Sequence, residues 1–247
     1  MDQALVVRAL FDAATPNAPM LDALLEGRVP GEVLVDEPVN PAVAVAMLRY
    51  HGITFASVGA PPEFLGRALR GRGPALLVAG EAAPGEAIER VEFTVRRPTS
   101  NRGRPAEAEV RLLRSVDLPR CRWHGEVLAA CGSAEDFERH GMGVAVWVGG
   151  TLAAEAYACF IGGGRAELGV VTHPSYRGRG LARAACSALI ERCEARGLTA
   201  SWSCAADNAG SIATAAAIGF VEPRAYRFVR LGSTPAPPAS SAGPRAS

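Results

Sequence analysis

The alternation of apolar and polar positions along this 247-residue chain predicts helices and strands in succession. In the first hundred residues, helices are predicted over 4–14, 17–25, 40–50 and 61–69, the last two because proline stands early in each. Strands are predicted over 32–36, 53–58, 75–79 and 88–96. This alternation is typical of an α/β fold.

The second half of the chain continues the same pattern. Strands are predicted over 110–116, 144–148, 152–161, 166–172, 198–205 and 224–231, and helices over 126–130, 133–140, 179–196 and 208–218. Ser133 is a predicted N-cap, and Gly149-Gly150 is the predicted turn of a hairpin. The helix at 179–196 carries an apolar stripe of Leu181, Ala185, Ala188, Leu189 and Cys193. We therefore expect it to pack on a mixed sheet.

Two segments are polar and rich in turn-forming residues. Residues 97–108 are predicted to be a linker or exposed loop, and the Pro-, Ser- and Ala-rich stretch after Leu231 is predicted to be a flexible tail. The pattern thus divides the chain into an N-terminal lobe at 1–100, a second domain at 106–231 and a tail at 232–247.

The most informative stretch lies between residues 165 and 183. An apolar strand stops at Pro174, and the turn Arg177-Gly178-Arg179-Gly180 leads into the long helix. Consecutive backbone N–H groups and the positive end of a helix dipole then face one point, which is typical of a phosphate site. The spacing matches neither a Walker loop nor a dinucleotide-binding loop.

The pattern Arg177-x-x-Gly180-x-Ala182 resembles the pyrophosphate loop of the GNAT superfamily of acyl-CoA-dependent N-acyltransferases. About thirty residues further on, Asn208, Ser211 and the pair Gly219-Phe220 resemble the second half of that superfamily's cofactor site. The clear resemblance covers roughly 110–231. It implies a GNAT fold with a mixed α/β sheet in the second domain.

The first hundred residues resemble, more loosely, the leading part of two-lobed bacterial acetyltransferases, in which a degenerate GNAT-like lobe precedes a functional one. Residues 31–36 and Pro41 carry this resemblance. The first half has no loop of the Arg-x-x-Gly-x-Gly kind at a strand-to-helix turn, so we expect no cofactor there.

The resemblance implies acetyl-CoA as co-substrate. Backbone N–H groups from Arg177 to Ala182 would hold the pyrophosphate, the strand at 170–172 would splay from 201–204, and an N–H near Val171 would polarise the thioester. Asn208 would act as a helix cap, alone or together with a cofactor contact. The implied cofactor-binding residues are Val170, Val171, Thr172, Arg177, Gly178, Arg179, Gly180, Leu181, Ala182, Asn208 and Ser211.

The catalytic residues are less constrained. Members of the superfamily often carry a Tyr acid four residues before the closing Gly, a position that Ala215 holds here. Glu167 and Glu155 interrupt apolar strands and are candidates for the base, against the alternative of exposed or ion-paired strand positions. Tyr226 is a candidate acid, against the alternative of a core aromatic.

Composition excludes several classes of protein. A formal net charge of +1 argues against a general nucleic-acid binder. Six cysteines without a C-x-x-C pair predict a reduced, cytoplasmic protein, and the four histidines lack metal-ligand spacing. The run at 141–164, in which Glu155 is the one charged residue, is predicted to form a hairpin and not a membrane span.

The expected function is transfer of an acetyl group from acetyl-CoA to a primary amine, by a monomer or a homodimer. A small-molecule acceptor is expected, while amino sugars, peptidic antibiotics and protein N termini or lysines remain open. The alternative is a non-catalytic acyl-CoA-binding or regulatory module, which the alanine at position 215 favours.

Overall fold

The computed structural model describes residues 3–81, 83–97, 105 and 107–232. In those ranges the strands are β1 (Gly31–Val35), β2 (Ala44–Leu48), β3 (Ile53–Ala56), β4 (Ala75–Gly80), β5 (Ala87–Phe93), β6 (Val95–Arg96), β7 (Ala108–Leu112), β8 (Met142–Val148), β9 (Thr151–Gly162), β10 (Arg165–Thr172), β11 (Thr199–Ala205), β12 (Phe220–Val221) and β13 (Arg224–Leu231). The helices are α1 (Gln3–Arg8), α2 (Ala18–Leu25), α3 (Pro62–Leu69), α4 (His124–Cys131), α5 (Ala134–His140), α6 (Leu181–Glu194) and α7 (Ala209–Ala217).

The helix predicted over 40–50 is wrong, because this segment contains β2. All five residues of β2 are buried, with Val45 and Met47 packed toward α3 and the alternate positions packed toward α2. A strand that is covered on both faces has no polar positions to reveal its period of two. Pro41 therefore precedes an inner strand of the sheet and does not open a helix.

Two further predictions need shorter bounds. The helix predicted over 4–14 ends at Arg8, because the chain turns at Asp12, whose Oδ1 accepts a hydrogen bond from the Ala14 N–H at 2.7 Å. The strand predicted over 88–96 is divided into β5 and β6. The predicted linker falls largely, and the predicted tail almost entirely, outside the described residues.

One continuous sheet joins the two halves of the chain. Among the described residues it has eleven strands in the order β1-β2-β3-β4-β13-β5-β11-β10-β9-β8-β7. The C-terminal strand β13 lies between β4 and β5 of the first half, and β5 in turn pairs with β11 of the second half. Through β5 the first half therefore borders β11, and it can contribute to one side of a site formed at that strand. The domain boundary between 100 and 106 stays a prediction.

The neighbouring parallel strands β10 and β11 separate before they end. They pair from Arg165↔Thr199 to Leu168↔Trp202, and the register between β10 and β9 shifts between Glu167 and Gly169. Beyond this point β10 stays paired with β9 alone. The carboxyl ends of the two strands therefore leave a wedge in the middle of the sheet.

Helix α6 covers one face of the sheet beside this wedge, as its stripe predicts. Leu181, Ala185, Leu189 and Cys193 are each at most 1% exposed. Burial of a leucine side chain contributes about 2 kcal/mol, so this face holds the helix start firmly against the sheet. No helix in the described ranges is long and apolar enough to cross a membrane.

Candidate functional site

A cleft of about 920 Å³ lies in the wedge-shaped gap where β10 and β11 separate. The turn before α6 and the first turns of α7 form one end, and Arg90 of β5 with Trp123 before α4 forms the other. The cleft thus runs from a helix N terminus through the sheet. Both halves of the chain line it.

The turn before α6 provides an uncapped helix start. Gly178 and Gly180 both have φ of +74°, a conformation that L side chains rarely adopt, and Gly180 is the N-cap of α6 without any side-chain cap. A Cβ at Gly178 would meet nothing within 4 Å, so the approach to the backbone is open. The first N–H groups of a helix have no intrahelical acceptor, and these face the cleft end at Gly180, Leu181 and Ala182. The residues fit a pyrophosphate group.

The exposed edge of β10 carries backbone donors toward the wedge. The His173 N–H donates to Ala153 O of β9 at 2.9 Å. Because N–H groups alternate in direction along a strand, the Val171 N–H also points toward β9, whereas those of Val170 and Thr172 point toward the wedge. The backbone N–H groups of Val170 and Thr172 are therefore the donors available to a thioester carbonyl.

The start of α7 forms the wall opposite this edge. Asn208 is its N-cap, with Oδ1 accepting from the Ser211 N–H at 3.0 Å. The Ser211 hydroxyl accepts from Nε1 of Trp202 at 3.1 Å, which ties α7 to β11. The cap role of Asn208 is confirmed, and its contact with a cofactor stays a prediction.

Glu167 of β10 lies on the face of the sheet opposite α6 and is 8% exposed. Two hydroxyls of β11 donate to it: Ser203 Oγ to Oε1 at 2.6 Å and Ser201 Oγ to Oε2 at 2.9 Å. Burial raises the pKa of this carboxyl above 4.5, and the two serine hydrogen bonds and the charge of Arg90 offset part of that increase. A carboxyl with a raised pKa beside a cleft is suited to take up a proton.

Arg90 of β5 lies beside this carboxyl and lines the cleft. Its Nε donates to the Tyr226 hydroxyl at 3.1 Å, and one terminal nitrogen donates to Ser203 Oγ at 3.2 Å. The guanidinium carbon lies 4.7 Å from the ring centre of Phe228, a cation–π distance that fixes the side chain. The first half of the chain thus places one positive charge in the cleft.

Tyr226 itself is fully buried in the core of the first half and does not line the cleft. Burial raises its pKa to about 12. Its contacts with residues of the cleft are those with Arg90 and Ser203. Burial and the hydrogen bond from Arg90 give Tyr226 a structural role in the core, and its role as a general acid stays a prediction.

Glu155 of β9 is likewise buried, at 1% exposure, and is not among the residues that line the cleft. Its Oε1 accepts from the Trp123 N–H at 2.9 Å, and burial raises its pKa above 4.5. Trp123 in turn reaches Gly169, where a Cβ would lie only 3.0 Å from its ring carbon Cζ3. Glu155 thus holds the tryptophan against a strand that has no side chain at this position.

The structure brings most of the predicted cofactor residues to one surface. Those that line the cleft are Val170, Thr172, Arg177, Gly178, Gly180, Leu181, Ala182, Asn208 and Ser211. Val171 faces away from it, and Arg179 packs over the Tyr176 ring at 5.1 Å outside it. Ala215 is fully buried in the core, so the position often held by tyrosine does not reach the cleft.

Sequence reasoning missed the residues at the far end of the cleft. Arg90, Ser203 and Trp123 belong to no motif in the sequence. The only signal was the pair of serines two positions apart in an apolar strand, Ser201 and Ser203, which an alternating pattern places on one face.

A smaller cavity of about 230 Å³ adjoins Glu167 on the same face. Its polar lining comprises Thr15, Glu92, Thr94, Arg165, Glu167, Ser201 and Arg224. Most of its charges are paired, since Glu92 bonds Arg224 and Arg165 bonds Asp22. Across the described part of the chain, no group of three His, Cys, Asp or Glu side chains could hold a metal ion.

Comparison with known proteins points in one direction. A family model described as GNAT acetyltransferase matches residues 105–229. The chain is also similar to the uncharacterized N-acetyltransferase YdfB of Bacillus subtilis strain 168, with 39% identity over 100 residues. That match covers 40% of this chain and 38% of the relative, so the two share well under half of their lengths.

Solved structures extend the likeness of fold over nearly the whole chain. A GCN5-related N-acetyltransferase-like protein from Streptococcus suis 89/1591 matches with a TM-score of 0.68 and 22% identity, over 92% of this chain and 98% of that one. A tandem GNAT protein from the clavulanic acid biosynthesis pathway matches with a TM-score of 0.55 and 17% identity, over 92% and 91%. At these identities the matches show the fold, and the mixed α/β class expected from the sequence is confirmed.

Proposed function

Because the chain belongs to the GNAT acetyltransferase family, we propose that it transfers an acetyl group from acetyl-CoA to a primary amine of a small molecule. One observation carries the proposal. The cleft joins an uncapped helix start, suited to a pyrophosphate, to a buried carboxyl network on the far side of the sheet. The wedge between them gives a narrow arm a path through the sheet.

Each part of the cleft then has a task. The N–H groups at Gly180, Leu181 and Ala182 bind the pyrophosphate of acetyl-CoA. The N–H groups of Val170 and Thr172 stabilise the charge that develops on the thioester oxygen as the amine attacks. Asn208 and Ser211 form the wall along which the arm lies.

Glu167 serves as the proton acceptor for the attacking amine. Burial raises its pKa from 4.5 toward the working range, where a base combines deprotonation with useful proton affinity. The carboxylate form is the active one, so the transfer rate should rise with pH through the pKa of Glu167. Glu155 acts as a positioning residue, because its carboxyl accepts a hydrogen bond from the Trp123 N–H.

The first half of the chain takes part in selecting the acceptor. Arg90 of β5 lines the cleft end beyond the wedge, next to Ser203 and opposite Trp123. Pockets for small molecules commonly form where two lobes meet. A cytoplasmic location and a monomeric or homodimeric state stay predictions.

A second candidate is a non-catalytic acyl-CoA-binding or regulatory module. The observation that favours it is Ala215, which is fully buried where the superfamily often has a tyrosine acid. Such a module would bind CoA without turnover.

Purified protein tests the two directly. Acetyl-CoA is incubated with an equimolar mixture of spermidine, glucosamine, lysine and trialanine, and mass spectrometry quantifies free CoA and the acetylated amines. Mass spectrometry is preferable to a thiol reagent, because the protein itself carries six free cysteines. We expect amine-dependent release of CoA. Calorimetric binding of CoA without any acetylated product would favour the module.

A further inference from the structure

The two serines that bind Glu167 differ in what else they touch. Ser201 and Ser203 lie two positions apart on β11, on the same face, and each donates to one oxygen of the carboxyl. Ser203 lines the cleft, whereas Ser201 lines the smaller cavity. Ser201 Oγ also lies 3.2 Å from Ala166 O, which competes for its proton, and only Ser203 meets the cleft.

Glu167 itself lines the smaller cavity and is absent from the cleft lining. Its Oε1 lies 2.6 Å behind the Ser203 hydroxyl. An amine in the cleft therefore meets Ser203 Oγ before it can meet the carboxyl.

The hydrogen bonds of Ser203 direct its proton toward Glu167. A hydroxyl has one donor and two acceptor sites. The donor is directed to Glu167 Oε1, and one acceptor site receives the Arg90 guanidinium N–H at 3.2 Å. Tyr226 is a further hydrogen-bonding neighbour of Ser203, so an N–H group that enters the cleft competes with the Tyr226 hydroxyl for the second acceptor site.

We propose that Ser203 is a catalytic residue that relays the proton of the attacking amine to Glu167, an inference that rests on the acetyltransferase function proposed above. As the amine nitrogen forms its bond to the acetyl carbon, its proton passes to Ser203 Oγ, and the Ser203 proton passes to Glu167 Oε1. The C–S bond breaks, and the CoA thiolate takes a proton from water in the open cleft. Glu167 returns its proton to solvent through the smaller cavity, which restores the starting state.

Arg90 positions this relay. Its N–H occupies one side of Ser203 Oγ and so directs the hydroxyl proton toward Glu167. The charged and titratable groups near Glu167 are Arg90 and Glu92 of β5, Tyr226 and Arg224 of β13, and Arg165 of β10. Of these, Arg90 lowers the pKa of Glu167 and Glu92 raises it.

The matched variants Ser203→Ala and Ser201→Ala separate a relay from a structural role. Each removes one hydrogen bond that lowers the pKa of Glu167, so in both variants the rise of kcat should move to higher pH. Only Ser203→Ala should lower the high-pH plateau of kcat, by about 100-fold, the usual range for loss of a proton-transfer group. Ser203→Thr, which keeps the hydroxyl, should recover most of the plateau.

The assay uses full-length protein, acetyl-CoA and the four-amine mixture, with product measured by mass spectrometry and CoA affinity by calorimetry. The expected Ser201→Ala plateau lies at least about tenfold above that of Ser203→Ala, because Ser201 does not meet the cleft, and CoA affinity is retained in all three variants. Equal plateaus for Ser203→Ala and Ser201→Ala in an active protein overturn the relay alone. A parent protein that binds CoA but acetylates none of the amines overturns the relay together with the proposed function.

Discussion

Leu168 of β10 and Trp202 of β11 form the last paired position between these parallel strands. Both side chains are buried in the core beneath α6, at 3% and 2% exposure. Before this position the two strands are hydrogen-bonded, and the sheet is continuous. Beyond it the strands separate and the cleft begins. The site therefore exists because two neighbouring strands stop pairing before they end.

Gly180→Glu should abolish CoA binding. The substitution places a side chain and a negative charge at a helix start whose N–H groups face the pyrophosphate, and φ of +74° adds strain. The control is Gly197→Glu, since Gly197 has φ of +71°, is exposed and lies beyond the opposite end of α6. We expect calorimetry to show at least a 100-fold loss of affinity for the first variant alone. Unchanged binding by a folded Gly180→Glu protein would place the CoA site elsewhere.

Glu167→Gln should lower kcat at neutral pH by roughly 100-fold and remove its rise with pH, because an amide cannot accept the proton. CoA affinity should remain, since the pyrophosphate end of the cleft is distant from this residue. Glu63→Gln, at an exposed position of α3, serves as the control. The measurement is the pH profile of acetyl transfer. A variant with full turnover would leave Glu167 a structural role only.

Arg90→Met should weaken acetyl transfer while CoA binding persists. The methionine keeps an apolar stem against Phe228 but removes the charge and the hydrogen bond to Ser203. We expect kcat/KM for the amine to fall by about tenfold, the effect of losing one hydrogen bond from a charged group. Arg230→Met is the control, because Arg230 is exposed and pairs with Glu86 at 3.3 Å. Equal kcat/KM values for the two variants would argue against a role for the first half.

Glu155→Gln should make the protein relatively more stable as pH rises. Burial raises the pKa of Glu155 in the folded state above 4.5, so the folded protein binds this proton more tightly than the unfolded chain does. The stability that this carboxyl contributes is present below pH 4.5 and is lost as pH rises through the folded pKa. Urea unfolding of both proteins between pH 4 and pH 8 should show a difference that grows in favour of the variant. A constant difference would mean that the pKa of Glu155 is not raised.

Gly169→Ala should strain the contact with Trp123. The new Cβ would lie 3.0 Å from ring carbon Cζ3, so the tryptophan must move by a few tenths of an ångström. We expect a loss of about 1 kcal/mol in unfolding free energy and a shift of tryptophan emission. Gly66→Ala on α3, where a Cβ meets nothing within 4 Å, should instead be neutral or slightly stabilising. Similar unfolding free energies for the two variants would contradict the close contact.

The sequence by itself determined those features that depend on residues close together in the chain. The glycine turn before α6, the apolar stripe of that helix and the Ser133 and Asn208 caps are all visible in short segments, and the structure contains each of them. The Asn208 cap, for example, joins residues only three positions apart. Local geometry requires those residue types there, so the pattern identifies them without knowledge of the fold.

The far end of the cleft and the inner strand β2 depend on tertiary contacts that short segments of sequence do not reveal. Arg90 and Ser203 are 113 positions apart and meet because β5 pairs with β11, a choice of strand partner that no local pattern records. Strand β2 was mistaken for a helix because packing on both faces removed its alternation. In both cases the deciding interactions are long-range, since burial and pairing depend on which elements lie next to one another in space.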